Sequence, residues 1–302
     1  MIPAAILLGC PNLAMPARLM NHVLLQRGER TTIVVATSGD TGGAAVEAFR
    51  GRAQVDVVVL FPHGRISEVQ RRMMTTAPDA NVHAVAVEGT FDDCQALVKA
   101  MFNHHAFRDR VSLSGVNSIN WARIVAQTVY YFTAAAALGA PHRKVAFTVP
   151  TGNFGDVFAG YVAGKMGLPI DRLVVATNVN DILARTFATG TYEVRDVVAT
   201  ASPSMDIQVS SNFERLLFDA YKRDAGAVRG LMNSLAQSKR FSVSAHALEA
   251  MRGLFAAGRA DEQESAATIR AWMREASYCA DPHTAVALAV AEKEARDPAI
   301  PM

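Results

Sequence analysis

The chain has 302 residues, enough for one large domain or two of ordinary size, and half of them are hydrophobic with 19% charged, as in soluble globular proteins. A formal net charge of +2 supplies no field for gripping nucleic acid or an anionic membrane. Cys10, Cys94 and Cys279 are odd in number and widely spaced, which fits a reducing, cytoplasmic compartment and offers no metal-ligand spacing.

Met1 to Cys10 is apolar but has no basic residue ahead of it, unlike a signal peptide, and no run reaches the roughly 18 apolar residues of a spanning helix. Ile2 to Leu8 run into Pro11 and Pro16 without a cap or polar leader, so the chain opens like the interior of a domain. Helix and strand patterns then alternate. Arg18 to Arg27 reads as helix, Thr31 to Ala36 as strand and Gly43 to Arg50 as helix. Val55 to Phe61 is a continuous apolar run, as in a buried parallel strand. Ser67 to Thr76 reads as helix, with Arg71 and Arg72 on its solvated face, and Val82 to Val87 as strand. Phe91 to Phe102 is a helix with Thr90 as N-cap, and His104 and His105 are surface residues at its end. Asn120 to Leu138 is a long helix, Lys144 to Val149 a strand, Gly155 to Met166 a helix and Leu173 to Thr177 a strand. This alternation implies an α/β fold, a twisted and mostly parallel sheet with helices on both faces. From residue 200 the chain is helix-rich, over Asn212–Tyr221, Ala227–Gln237, Ser244–Ala256, Glu264–Ala276 and Ala285–Ala295. The loop from Gly190 to Gln208, which carries Pro203, is the best candidate for a mobile or site-covering segment.

Two glycine-rich turns carry the chemistry. Ala36-Thr37-Ser38-Gly39-Asp40-Thr41-Gly42 and Pro150-Thr151-Gly152-Asn153-Phe154-Gly155-Asp156 each follow a β-branched strand and open a helix. Free backbone N–H groups at a helix N-terminus make an anion site. The second turn suits a phosphate, because Gly152 and Gly155 allow close backbone approach. The first adds two hydroxyls, Ser38 and Thr41, and suits a substrate carboxylate. Ser, Asp and Gly are also ordinary cap and turn residues, so each turn alone reads equally as structural. Neither fits the dinucleotide or P-loop pattern. Asp281-Pro282-His283-Thr284-Ala285 and Asn117-Ser118-Ile119-Asn120-Trp121-Ala122-Arg123 each precede a helix and read as capping clusters.

Taken together these segments resemble threonine synthase, a fold-type II enzyme dependent on pyridoxal 5′-phosphate. The likeness runs through Arg27-Gly28-Glu29-Arg30, both glycine turns, Asn117 to Ile124, Pro203-Ser204-Met205-Asp206-Ile207, Ser210 to Arg215 and Asp281 to Ala285, in the family's order. Pro203 to Arg215 looks like threonine synthase rather than the related dehydratases and cysteine synthases. The resemblance implies that Gly152, Asn153, Phe154, Gly155 and Asp156 hold the cofactor phosphate, and that Thr284 sits by the pyridine nitrogen. It implies that Ser38, Gly39, Asp40 and Thr41 bind the substrate amino acid over the cofactor. Asn120 and Arg123 would meet the phosphate of O-phospho-L-homoserine, since a guanidinium suits bidentate phosphate contact. The implied reaction converts O-phospho-L-homoserine and water to L-threonine and phosphate.

One family feature does not match. The family's Schiff-base lysine lies in an H-G-P-T-L-A-F-K-D-like segment, and Leu13 to Met20 enters the pattern just after it. Lys99, Lys144, Lys165, Lys222, Lys239 and Lys293 all lie in other contexts. The expectation is a chain truncated at its N-terminus. Residues 1–16 would then be the remnant of that region and 17–302 the cofactor-binding part, with turnover very low or absent. The alternatives are a non-catalytic binder of pyridoxal phosphate or a phosphorylated amino acid, an unstable fragment, and a dehydratase of the same fold type.

Overall fold

The computed structural model describes residues 20–37, 39–115, 121–294 and 297–302. The remnant expected over 1–16, together with Ser38 and Asn120, lies outside the described residues. The chain divides into two compact units with the boundary between Ala126 and Gln127.

In the first unit a helical stretch over residues 20–27 precedes β1 (Thr31–Ala36), α1 (Asp40–Phe49), β2 (Val55–Pro62), α2 (Glu68–Thr75) and β3 (Val82–Val87). α3 (Phe91–Asn103), α4 (His105–Arg110), β4 (Leu113–Gly115) and the start of α5 (Trp121–Ala137) follow. The sheet order is β3-β2-β1-β4 and every pairing is parallel. Ile33, Val35, Val57, Val59 and Phe61 point to one face and close on Val46, Phe49 and Met74 of α1 and α2. On the other face Val34 and Leu60 bury Cys94 of α3. Both faces of β2 are covered, which is why its sequence runs apolar without alternation. α3 starts where expected: the Thr90 side chain accepts from the Asp93 N–H, and Asp93 accepts from the Thr90 N–H in return.

The second unit contains β5 (Val145–Pro150), α6 (Gly155–Lys165), β6 (Ile170–Thr177), α7 (Ile182–Thr189) and β7 (Thr191–Glu193). After a 3-10 turn at Pro203–Met205 come α8 (Phe213–Ala220), α9 (Ala225–Ser238), β8 (Arg240–Ser242), α10 (Ala245–Arg252), β9 (Phe255–Arg259), α11 (Glu262–Ala276) and α12 (Pro282–Lys293). Its main sheet is parallel, in the order β5-β6-β9, and β7 pairs antiparallel with β8. The parallel strands are thus shared between two sheets.

β9 falls where the sequence pattern continues a helix to Ala256. The helix stops at Arg252, and Phe255-Ala256-Ala257-Gly258-Arg259 pairs with Leu173 to Thr177. Its small residues are explained by α12: a Cβ on Gly258 would meet Val290 Cγ1 at 2.8 Å, so the helix lies directly on the strand. Among the described residues no helix is long and apolar enough to cross a membrane.

Candidate active site

β5 ends in the loop that opens α6. Phe154 is the N-cap of α6 in a left-handed conformation, φ 63°, and makes no side-chain cap. That conformation costs a non-glycine residue roughly 1–2 kcal/mol. Burial of the ring offsets the cost. The ring is 1% exposed and packs edge-on against Phe213 at 5.4 Å and beside Phe255 at 5.7 Å. Phe213 in turn stacks on Tyr192, and Tyr192 on Phe241. The aromatic column fixes Phe154 and with it the first turn of α6, whose N–H groups have no acceptor within the helix.

The carbonyls of this loop are turned away from that N-terminus. Gly152 O accepts from Ser210 Oγ at 2.8 Å, and Asn153 O accepts from the Asn212 backbone N–H at 3.1 Å and from Asn212 Nδ2 at 3.0 Å. Asn212 is fully buried. Ser211 Oγ donates to Asn153 Oδ1 at 3.2 Å. A loop whose C=O groups are committed on one side and whose helix N–H groups are free of caps on the other fits a phosphate, with the dipole of an 11-residue helix behind it. Gly152 has a spatial role. A Cβ there would lie 2.5 Å from Ser204 O.

Ser210 and Asn212 were part of the resemblance, with no role attached, and Ser204 and Asp206 likewise. The structure makes them the support of the loop. Asp206 Oδ1 accepts from Asn178 Nδ2 at 2.8 Å, Asn180 Nδ2 at 3.0 Å and Thr200 Oγ1 at 2.7 Å. Asp206 Oδ2 accepts from the Thr200 N–H at 2.8 Å. The segment that reads as the mobile loop is therefore tied to the end of β6, through the Asp206 carboxylate and through direct bonds of Asn178 to Ser202 and of Asn180 to Val198. The only hint in the sequence is the density of Asn, Ser, Thr and Asp between 178 and 212.

Thr284 is joined to the same loop region. Asp281 caps α12, accepting at Oδ1 from the His283 N–H at 2.9 Å and the Thr284 N–H at 3.3 Å, and the Thr284 hydroxyl donates to Oδ2. The His283 ring lies 3.2 Å from Asp281 Oδ1 through Nδ1, and its Nε2 accepts from the Ser204 N–H at 3.3 Å. With Nε2 accepting, the ring proton sits on Nδ1 and points at Asp281. The histidine, with the Thr284 hydroxyl and N–H adding to it, holds the Asp281 carboxyl well below the usual carboxylate range. Gly152, Ser204, His283 and Thr284 thus form one continuous hydrogen-bonded and packed set, although they span 132 residues of sequence.

Asp156, in the first turn of α6, is partly buried, and burial pushes its carboxyl up from 3.8 to about 6, against the lowering effect of the Tyr131 hydroxyl. That hydroxyl lies 3.2 Å from Asp156 Oδ1 and 2.9 Å from Asp156 O. A carboxyl that is easily protonated repels a neighbouring phosphate less. Because the folded value lies above the unfolded one, this group's contribution to stability is full below the unfolded value and is lost as pH rises through about 6. The shift corresponds to at most about 3 kcal/mol, less about 0.3–1 kcal/mol for the ionised group's interaction with the helix dipole. Asp156→Asn is therefore expected to raise Tm near neutral pH and to flatten the Tm–pH curve between about pH 4 and 6. A variant less stable than the parent at neutral pH would contradict this.

In the first unit, Gly39 and Thr41 lie where β1 meets α1, and Asp40 is the first residue of that helix. Thr37, which carries no role in the resemblance, organises the turn: its Oγ1 accepts from the Gly39 N–H and from the Gly42 N–H, each at 2.9 Å. Gly39 has φ 144° and packs on Gln70, so a Cβ there would lie 2.2 Å from the Gln70 side chain. Gly42 leaves no room either, with Met74 Sδ 2.4 Å from its absent Cβ. Two of the turn's N–H groups are thus used internally, which leaves less of the backbone for a carboxylate than the sequence pattern implies. Arg123 is partly buried in the first turn of α5.

All six lysines are exposed. Lys144 pairs with Asp171 at 3.2 Å, Lys293 pairs with Glu264, and Lys165 lies over the Tyr161 ring. Lys99 is on α3, Lys239 ends α9, and Lys222 follows α8.

Residues 14–260 match the family model described as pyridoxal-phosphate dependent enzyme. The threonine synthase of Pseudomonas aeruginosa is 50% identical over 285 residues, covering 94% of this chain and 61% of that protein. That of Eremothecium gossypii is 48% identical over 284 residues, covering 88% and 55%. Among solved structures, a pyridoxal-phosphate-bound threonine synthase from Brucella melitensis superposes with a TM-score of 0.90 and 61% identity, over 95% of this chain and 62% of that one. The chain spans about three fifths of the length of these relatives. The likeness bears out the fold-type II α/β architecture, and with most of its length inside the family model the chain belongs to the pyridoxal-phosphate dependent enzymes.

Proposed function

We propose that this chain is a threonine synthase sequence, built to bind pyridoxal 5′-phosphate and O-phospho-L-homoserine for conversion to L-threonine and phosphate. The observation that carries the reading is the uncapped N-terminus of α6, whose carbonyls are held away by Ser210 and Asn212. The 50% identity to a threonine synthase supports it. Under this reading residues 17–302 form the cofactor-binding region.

When bound, the cofactor supplies an electron sink for proton movements at the substrate carbons. The backbone N–H groups of residues 152–156 would hold its phosphate. Ser38, Gly39, Asp40 and Thr41 would hold the substrate amino acid, and Asn120 and Arg123 its phosphate. Thr284 would lie by the ring nitrogen. The six exposed lysines do not suit covalent attachment, which calls for an amine held at the cofactor.

Two measurements test the reading. Pyridoxal phosphate is expected to bind saturably in competition with inorganic phosphate, and borohydride reduction to leave none of the six lysines labelled stoichiometrically. One lysine labelled at unit stoichiometry would overturn the assignment of binding without covalent attachment. Arg123→Gln is expected to weaken O-phospho-L-homoserine binding about tenfold or more while pyridoxal phosphate affinity is unchanged, since a charged hydrogen bond is worth about 1.5–3 kcal/mol. Equal binding of O-phospho-L-homoserine by parent and variant would remove Arg123 from the substrate site.

A further inference from the structure

A cavity of about 600 Å³ opens in the second unit, at the end of the β5-β6-β9 sheet opposite the anion loop. Its floor is apolar. Ile170 opens β6 and Phe255 opens β9, and Leu168, Leu216, Met251 and Leu254 complete the surface. Its rim carries Lys165, Lys222 and His246. The volume lies within the usual range of about 300–1,000 Å³ for small-molecule sites.

We propose that this cavity binds a small organic monoanion, a carboxylate bearing a branched or aromatic apolar group. The proposal does not rest on the threonine synthase reading.

The charges in the cavity decide its sign. Asp219 is the one carboxylate in its lining. Its Oδ2 accepts from the Tyr161 hydroxyl at 2.9 Å, and its Oδ1 meets Arg223 Nε at 3.3 Å, so its charge is compensated locally. Lys165 lies 5.1 Å from the centre of the Tyr161 ring, and among the described residues neither Lys165 nor Lys222 forms an ion pair. α6, α8 and α10 all present their C-terminal ends here, each carrying about half a negative charge. Lys165, in the last turn of α6, complements one of them, and that accounts for one cation only. Two ammonium groups against three such helix ends leave a net positive potential of about half a charge. That balance suits a carboxylate better than a doubly charged phosphate, and the apolar floor asks for an apolar body.

The backbone is bent to put Lys222 there. Lys222 and Arg223 are consecutive non-glycine residues with φ 56° and 67°. The Lys222 N–H donates to Asp219 O at 2.9 Å and the Arg223 N–H to Phe218 O at 2.7 Å. Two left-handed residues in succession are costly, and this pair directs Arg223 to Asp219 while Lys222 lines the cavity. An occupant would bear on the C-terminal ends of α6 and α8. The N-terminal end of α6 opens at the anion loop, and Asn212, just before α8, holds that loop.

The test is a titration with 4-methyl-2-oxopentanoate, read by calorimetry or by NMR, in saturating inorganic phosphate so that the anion loop is filled. Saturable one-to-one binding is expected. Acetate and isopentyl alcohol, each carrying half of the probe, are expected to bind about tenfold more weakly or worse. Lys222→Gln should weaken binding about threefold to tenfold. Gly164→Leu should abolish it, because a Cβ at Gly164 meets only Ile170 Cδ1, at 3.8 Å, so the larger side chain enters the cavity without straining the helix. Cooperative thermal unfolding of each variant checks the fold. Absence of saturable binding, binding equal in parent and both variants, or displacement of the probe by phosphate would each overturn the proposal.

Discussion

Gly152→Ala is expected to reduce phosphate and pyridoxal phosphate affinity about a hundredfold, the loss of two charge-assisted hydrogen bonds. The added methyl would sit 2.5 Å from Ser204 O and 3.5 Å from Met205 Cα, both backbone atoms. No rotamer change can relieve that contact. Either residues 203–205 retreat or the loop moves by most of an ångström, and the 3-10 turn is itself held by Asp206 and by the His283–Ser204 hydrogen bond. The loop takes part of that displacement, and the N–H groups that form the anion site move with it. Overpacking adds a stability cost of about 1–3 kcal/mol. Gly164→Ala, in the last turn of the same helix, is the control. It has room for a Cβ and should gain up to about 1 kcal/mol from helix propensity while phosphate affinity is unchanged. Phosphate titrations of the two variants measure the difference, and equal affinities would show that the Gly152 contact does not matter to the site.

Asp206→Asn is expected to lower the Tm by about 5–10 °C and to weaken phosphate binding, although Asp206 lies outside the set proposed to touch the ligand. Four donors converge on its two oxygens. An amide keeps one acceptor and sets an NH₂ group against either the Thr200 N–H or the cluster at Oδ1. That loses at least one bond to a charged acceptor and leaves a donor facing a donor, about 2–3 kcal/mol together. The functional loss follows through the chain. Residues 200–212 carry Ser204, Ser210 and Asn212, which pack on Gly152 or donate to its loop's carbonyls. Thr200→Val, which removes one donor and leaves the carboxylate, should show the same two effects at smaller size. Unaltered unfolding in Asp206→Asn would mean that the hub is dispensable.

Much of this was legible in the residues. Thr31–Ala36 and Val82–Val87 are strands with the bounds that β-branched runs give them, and Ser67 and Thr90 cap the helices their spacing announces. These signals are local, set by side-chain periodicity of two or 3.6 and by a hydroxyl's reach to an N–H three residues on. The glycine turn before α6 was legible for the same reason. β9 was not, because five residues of small side chains have no pattern of their own, and they become a strand through pairing with β6 and packing under Val290.

The sequence by itself therefore determined where the elements lie, which turn opens a helix suited to an anion, and which family's motifs occur in order. The tertiary structure decided why Gly152 must lack a side chain, why Phe154 accepts a left-handed backbone, and that Ser210, Asn212 and His283 serve one loop. Each of those answers is a contact between residues about 50 to 80 positions apart. A local pattern carries no record of such a contact, because the energy that fixes it, burial and hydrogen bonding, exists only once the chain has brought the two ends together.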